Sequence, residues 1–254
     1  MNTICKNCAF TFDGKYCNQC GQTGETHRLN FHFVWHDIQH GIFHVDKGIL
    51  YSISQLFMRP GHTIREFIDG KRVKHFKPLS MVVILATIYG LMSHYFHVEN
   101  PGPVRLTTGS TPSAEELSFY TKMLDWIETH YALTTLLALP FFAFGTFIAF
   151  KKQGYNFIEH MVLNAFLSAQ RLTVHIALFP IMYAVSATHF SGPFNSLLRL
   201  TDLGLTIWVC SQFFSRLSKT RSVLLTLLAY VIYIITFVLF GGLVLTIIGA
   251  TLYD

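Results

Sequence analysis

The sequence predicts an all-α membrane protein. Five transmembrane helices are preceded by a cytoplasmic amphipathic helix and a small N-terminal zinc ribbon. Three observations predict this. Of 254 residues, 51% are hydrophobic and only 13% are charged, against about 25% charged in soluble domains. Long apolar runs recur along the chain with basic residues beside them. Four cysteines, Cys5, Cys8, Cys17 and Cys20, crowd the N-terminus. The net charge of +5 is too small to argue for nucleic-acid binding. Met1 to Lys6 lead straight into cysteines rather than an apolar leader, so no secretory signal is expected.

The expected division is a ribbon over residues 1–24, then interfacial helices with a basic juxtamembrane segment over 25–78. A transmembrane domain with an external loop at 98–130 fills 79–254. In the ribbon, two Cys-x2-Cys knuckles each present two thiolates, and four thiolates complete a tetrahedral zinc shell. Two disulfides or a redox pair are the weaker alternatives. Such a closed site leaves no position for catalysis, so the zinc is expected to be structural. Asp13-Gly14 offers a hairpin turn between the knuckles.

From Leu29 to Met58, apolar residues recur every three or four positions, the pattern of an amphipathic helix. His32, His36, His40 and His44 are spaced by four, so neighbours could chelate a metal; lining the headgroup side of an interfacial helix is the simpler reading. Arg59-Pro60-Gly61 breaks this helix. A short helix over His62 to Asp69 follows and ends at Gly70. Lys71, Arg72, Lys74 and Lys77 then form a basic patch suited to anionic headgroups.

Spans are expected near Leu79–Phe96, Tyr131–Phe150, Phe157–Tyr183, Leu197–Phe214 and Val223–Leu252. The fourth is weakened by Arg199 and Asp202. Basic residues concentrate before the first span, between the second and third, and between the fourth and fifth. This places the N-terminus in the cytoplasm and the C-terminus outside. The ribbon then lies in a reducing compartment, where thiolate zinc is expected and disulfides are not. In the external loop, Ser113 to Glu116 resembles a capping box opening a short helix.

The third span carries the sharpest functional clue. At about 100° per residue, His160, Asn164, Ser168, Arg171 and His175 fall within one quadrant, while Glu159 and Gln170 share another side. A cation at mid-bilayer costs about 2.5–3.5 kcal/mol, so Arg171 needs a partner, and the stripe reads either as a binding site or as a buried polar network that fixes helix packing. Asp202 is the obvious partner in sequence, although Arg199 could claim it. Glu159, His160, Asn164, Arg171, His175 and Asp202 are therefore the candidate substrate-binding residues. No catalytic residue is assigned.

Cys5-x2-Cys8, Tyr16-Cys17-x2-Cys20-Gly21-Gln22, His44-Val45-Asp46-Lys47-Gly48, Arg59-Pro60-Gly61-x2-Ile64-Arg65-Glu66-Phe67, Gly70-Lys71-Arg72 and Lys77-Pro78 together carry a resemblance, as does Glu159-His160-x3-Asn164. The chain resembles an uncharacterised bacterial family of multi-pass membrane proteins with an N-terminal four-cysteine zinc ribbon, a domain of unknown function. The resemblance implies this architecture and the bacterial inner membrane, and lends no activity. Ala9 stands where a glycine usually follows the first knuckle.

The reading favoured on these grounds is a binding or transport protein for an anion, proton or lipid headgroup. A membrane enzyme acting on lipid-linked substrates is one alternative. The other is a scaffold recruiting a soluble protein through the ribbon. Membrane lipids are expected partners, and five spans would build a pathway more easily as a homo-oligomer.

Overall fold

The computed structural model describes residues 3–24, 26–31, 48–98, 122, 126–127 and 129–253, with side chains described as far as residue 242. The four histidines at 32, 36, 40 and 44 and the expected capping box at 113–116 lie outside the described residues.

A two-residue strand β1 (Thr3–Ile4) pairs antiparallel with β2 (Thr11–Phe12) in the ribbon. Among the described residues the other regular elements are helical: α1 Gly48–Met58, α2 Pro60–Asp69, α3 Pro78–Phe96, α4 Tyr131–Ala149, a 3-10 turn at Lys151–Gln153, α5 Phe157–Ser186, α6 Ser191–Phe213 and α7 Lys219–Tyr253. Among the described residues, four helices are long and apolar enough to cross a membrane: α3, α4, α5 and the Lys219–Gly242 part of α7. The remaining expected span, Leu197–Phe214, falls in α6 and its C-cap residue Phe214. The 23 residues of α6 suffice in length, since about 20 cross a bilayer. Ser191, Asn195, Arg199, Thr201 and Asp202 make its first half more polar than the other four.

Sequence explains each boundary. Pro78 opens α3 at a position where its missing N–H costs nothing. Asn156 caps α5, accepting from the Glu159 N–H at 2.8 Å, while Glu159 Oε2 accepts from the Asn156 N–H at 2.7 Å. That is a complete capping box. Gly70 ends α2 in the left-handed conformation, φ 113°, which a side chain would strain.

Helix α5 is the centre of the bundle. Helices α3, α4 and α6 pack directly on it, α7 packs on α4 and α6, and the α1–α2 pair packs under α5 and α6. The core runs from Leu56 and Phe67 through Tyr89 and Leu163 to Phe213.

The break between α1 and α2 shows how polar chemistry fixes this packing. In a continuous helix the N–H of residue 60 would bond to the carbonyl of Leu56. Pro60 has no N–H. Gln170 of α5 supplies the donor instead, its Nε2 2.9 Å from the Leu56 oxygen, in a buried position. Gln170→Leu is expected to destabilise the protein by about 1–3 kcal/mol, the cost of a buried unsatisfied carbonyl. In a Pro60→Ala background Arg59, now at φ −150° and ψ 60°, is free to turn helical and bring the alanine N–H to Leu56, so the same change should cost about 1 kcal/mol less. Thermal melts of the four proteins in one detergent measure this coupling, and strict additivity would count against it.

Candidate functional site

The four ribbon cysteines converge. Each contributes a sulfur, and all four sulfurs lie within 4.8 Å of one another. Cys5 Sγ is 3.5 Å from Cys20 Sγ, and Cys8 Sγ is 3.5 Å from Cys17 Sγ. A tetrahedron of zinc–sulfur bonds near 2.3 Å has edges of about 3.8 Å, so the residues fit the ion. The two knuckles repeat one geometry. The N–H of Ala9 donates to Cys5 O at 2.9 Å, and the N–H of Gly21 donates to Cys17 O at 2.8 Å. The Cys5 N–H donates to Phe10 O at 2.9 Å, and the Cys17 N–H to Gln22 O at 2.8 Å. Both turns end left-handed, at φ 61° for Ala9 and 75° for Gly21. Ala9 thus adopts the glycine conformation that the knuckle demands.

Thiol chemistry supports a cation here. The Phe10 backbone N–H favours the Cys8 thiolate, yet burial and the neighbouring thiols of Cys17, Cys20 and Cys5 push Cys8 up to about 12. The Gln22 backbone N–H brings Cys20 down to about 6. Four thiolates this close repel one another. A divalent cation removes that conflict by accepting charge from all four.

The ribbon and the segment that leaves it are held together and tied to the helical body by three sets of hydrogen bonds. Gln22 Oε1 accepts from the backbone N–H of Arg72 at 3.0 Å. Lys6 Nζ donates to Thr26 O at 2.6 Å, within the segment that leaves the ribbon. Arg28 grips Glu159 with both forks, Nε to Oε1 at 2.7 Å and Nη2 to Oε2 at 2.8 Å, and also donates to Gly154 O at 2.9 Å. That pairing raises the guanidinium above its usual range. A cleft of about 390 Å³ remains beside this clamp, lined by Lys6, His27, Asp69 and Tyr155 among others.

The clamp accounts for Glu159. Its carboxylate is only 3% exposed and is already shared between the capping box and Arg28. His160 follows Glu159 directly on α5, Asn164 lies about one turn beyond it, and both meet Thr146 of α4. Thr146 donates its hydroxyl to its own helix, to Ala143 O at 3.1 Å or Phe142 O at 3.2 Å. Its oxygen therefore accepts from Asn164 Nδ2 at 2.9 Å and from His160 Nδ1 at 3.1 Å. This cluster is buried on every side, with Phe147 and Phe214 against the imidazole.

A second cluster lies two turns deeper. His175 Nε2 donates to Asp202 Oδ1 of α6 at 3.1 Å. The obvious acid in sequence is thus paired with His175 rather than with Arg171 or Arg199. Among the described residues, the Arg171 guanidinium has one hydrogen-bond partner, Ser168 Oγ at 3.1 Å from Nη2. Its charge rests on the Phe142 ring, 4.9 Å away, a contact worth about 0.5–2 kcal/mol. Tyr131, Tyr230, Tyr233 and Asp202 are its electrostatic neighbours.

The candidates therefore fall into three groups: Glu159 at the clamp, His160 with Asn164 in a closed packing cluster, and Arg171 near the His175–Asp202 pair. Sequence reasoning missed Arg28, Thr146, Phe142 and Tyr230. Nothing local marks them, because their partners sit on other helices.

Residues 46–90 match the model of a family described as a protein of unknown function, DUF3667. The match spans α1, α2, the basic loop and most of α3, the part that carries Arg59-Pro60-Gly61. No curated protein and no solved structure matches this chain.

Proposed function

We propose that this chain is a multi-pass protein of the bacterial cytoplasmic membrane that binds a small anion at Arg171, as a binding or transport protein. Helix α6 is the fourth of five spans. The N-terminus is cytoplasmic, since the alternate loops carrying Lys71, Arg72, Lys74, Lys77, Lys151, Lys152, Arg216, Lys219 and Arg221 are the basic ones. The four cysteines hold a structural zinc.

One observation carries this reading. Arg171 sits near the middle of α5, yet among the described residues no carboxylate lies within ion-pair distance of it, and the nearest acid is engaged by His175. A guanidinium offers five N–H donors, and only one hydrogen bond from it is to a described side chain. In a low-dielectric setting such a group is expensive unless an anion visits it. As a residue Arg171 is half-buried, with its charged end enclosed by α4, α6 and α7.

The test is mass spectrometry of anions and lipids released from purified protein, wild type against Arg171→Gln. The variant should lose at least about tenfold of whatever anion travels with wild type, corresponding to about 1.4 kcal/mol or more. Equal release from two equally folded proteins would end the anion reading in favour of helix packing. A lost species that proves to be a phospholipid would identify a headgroup as the anion's source.

A second reading is favoured by the ribbon surface. Ile4, Phe10 and Tyr16 are largely exposed, an apolar display suited to a soluble protein partner.

A further inference from the structure

We propose that the anion held at Arg171 is monovalent and that one proton accompanies it, carried by the His175–Asp202 pair. This rests on the reading of Arg171 as an anion site. His175 follows Arg171 by four residues on α5, one helical turn. Its side chain is 9% exposed and that of Asp202 21%.

The groups around the pair set its charge. Helix α3 contributes Tyr89, whose ring lies 5.7 Å from that of His175. Helix α4 contributes Tyr131, 5.0 Å from Tyr89. Helix α5 contributes Arg171. Helix α6 contributes Asp202, with Arg199 one turn before it on the exposed side. Helix α7 contributes Tyr230, whose hydroxyl is 3.1 Å from Thr206 Oγ1, and Thr206 in turn donates to Asp202 O at 2.8 Å. Tyrosines are neutral near pH 7. The balance inside the bundle therefore lies with Arg171, His175 and Asp202.

With His175 neutral, Arg171 and Asp202 cancel. A monovalent anion added to that set leaves one uncompensated negative charge where solvation is poor. One proton on His175 restores neutrality. The carboxylate is acceptor-only, so His175 Nε2 already carries the hydrogen that faces it. The incoming proton, taken from water, adds to the Nδ1 lone pair. No bond to the anion is made or broken. A divalent anion would need two protons, and this set offers one imidazole.

The experiment uses the full-length protein in lipid nanodiscs, with chloride as the monovalent probe and sulfate as the divalent one. Radioactive anion reports binding, and a pH dye in weak buffer reports protons. Wild type should take up about one proton per chloride bound, and chloride affinity should fall about tenfold per pH unit at alkaline pH. Sulfate should bind more weakly. Asp202→Asn removes the negative charge that the proton offsets, so whatever chloride it binds should bring no proton and show little pH dependence. Chloride binding by wild type without protons, or independent of pH, overturns the coupling while leaving the anion site standing. Sulfate binding as tight as chloride overturns the choice of a monovalent anion. If wild type binds neither, the anion site itself falls, and the coupling falls with it. The wild-type measurements decide the matter even if Asp202→Asn does not fold.

Discussion

Replacing Cys17 by serine is expected to unfold residues 3–24 while the helical body still inserts. The reason is the size of the module's core. Apart from the cysteines themselves, Phe12 is its only buried hydrophobic side chain, and its strands are two residues long. So small a core cannot offset the conformational entropy of about twenty residues, each costing roughly 1–2 kcal/mol. A structural zinc contributes about 10–16 kcal/mol of apparent binding energy in comparable peptides, and that energy becomes folding energy. Losing one of four thiolates removes most of it. Metal analysis should find one zinc per wild-type chain and far less in the variant. Limited proteolysis should cut the variant within the first two dozen residues at once. The loss should spread, because Gln22 would release the Arg72 N–H and Arg28 would lose the ordered segment that delivers it to Glu159. Unchanged protease resistance with no bound metal would refute a metal-built ribbon.

Much of this architecture was legible because composition and period report on environment directly. An apolar run of 19 residues behind a proline, as in α3, has few alternatives to a buried or spanning helix. Two Cys-x2-Cys pairs dictate convergence, since each knuckle places its own sulfurs. The capping box at Asn156 and Glu159 was not anticipated, although its two residues stand three apart. Pairings between helices were harder to read. Helical wheels put His160, Arg171 and His175 on one side of α5, but the rotation and depth of α4 and α6 decide which partner each meets. Thus His160 faces Thr146, His175 takes Asp202, and Arg171 rests on an aromatic ring. Arg28 and Glu159 are 131 residues apart, and no local pattern joins them. The basic loop taught a related lesson. Arg72 was expected to face headgroups, yet its guanidinium turns inward to Phe67 O at 3.1 Å and His27 O at 3.1 Å. The end of α2 leaves carbonyls that need a donor, and Arg72 supplies it while Lys71 turns to Glu66.

The other large effect is expected at Gly61. An alanine Cβ built there would stand 2.3 Å from the Phe213 backbone nitrogen and 2.4 Å from Gln212 Cβ. The first of these is backbone of α6, which cannot rotate away as a side-chain tip can. Helices α2 and α6 would have to separate. Separation also strains three polar contacts: the Gly61 N–H to Gln212 Oε1 at 3.2 Å, and the Arg65 guanidinium to the carbonyls of Gln212 and Phe213, the latter at 2.7 Å. Those carbonyls are the orphan acceptors at the end of α6, and Arg65 is their cap. Overpacking costs about 1–3 kcal/mol, and loss of charged capping bonds adds about 1.5–3 kcal/mol. Gly61→Ala should therefore lower the thermal midpoint by roughly 10 °C in a chain of this size. Gly204→Ala on α6 is the control, because a Cβ there meets nothing within 4 Å. It should leave the midpoint unchanged or raise it, since alanine is the better helix former. If Gly61→Ala melts with wild type, the close approach of α2 to α6 is wrong. The Arg59-Pro60-Gly61 turn would then need another explanation than the docking of these two helices.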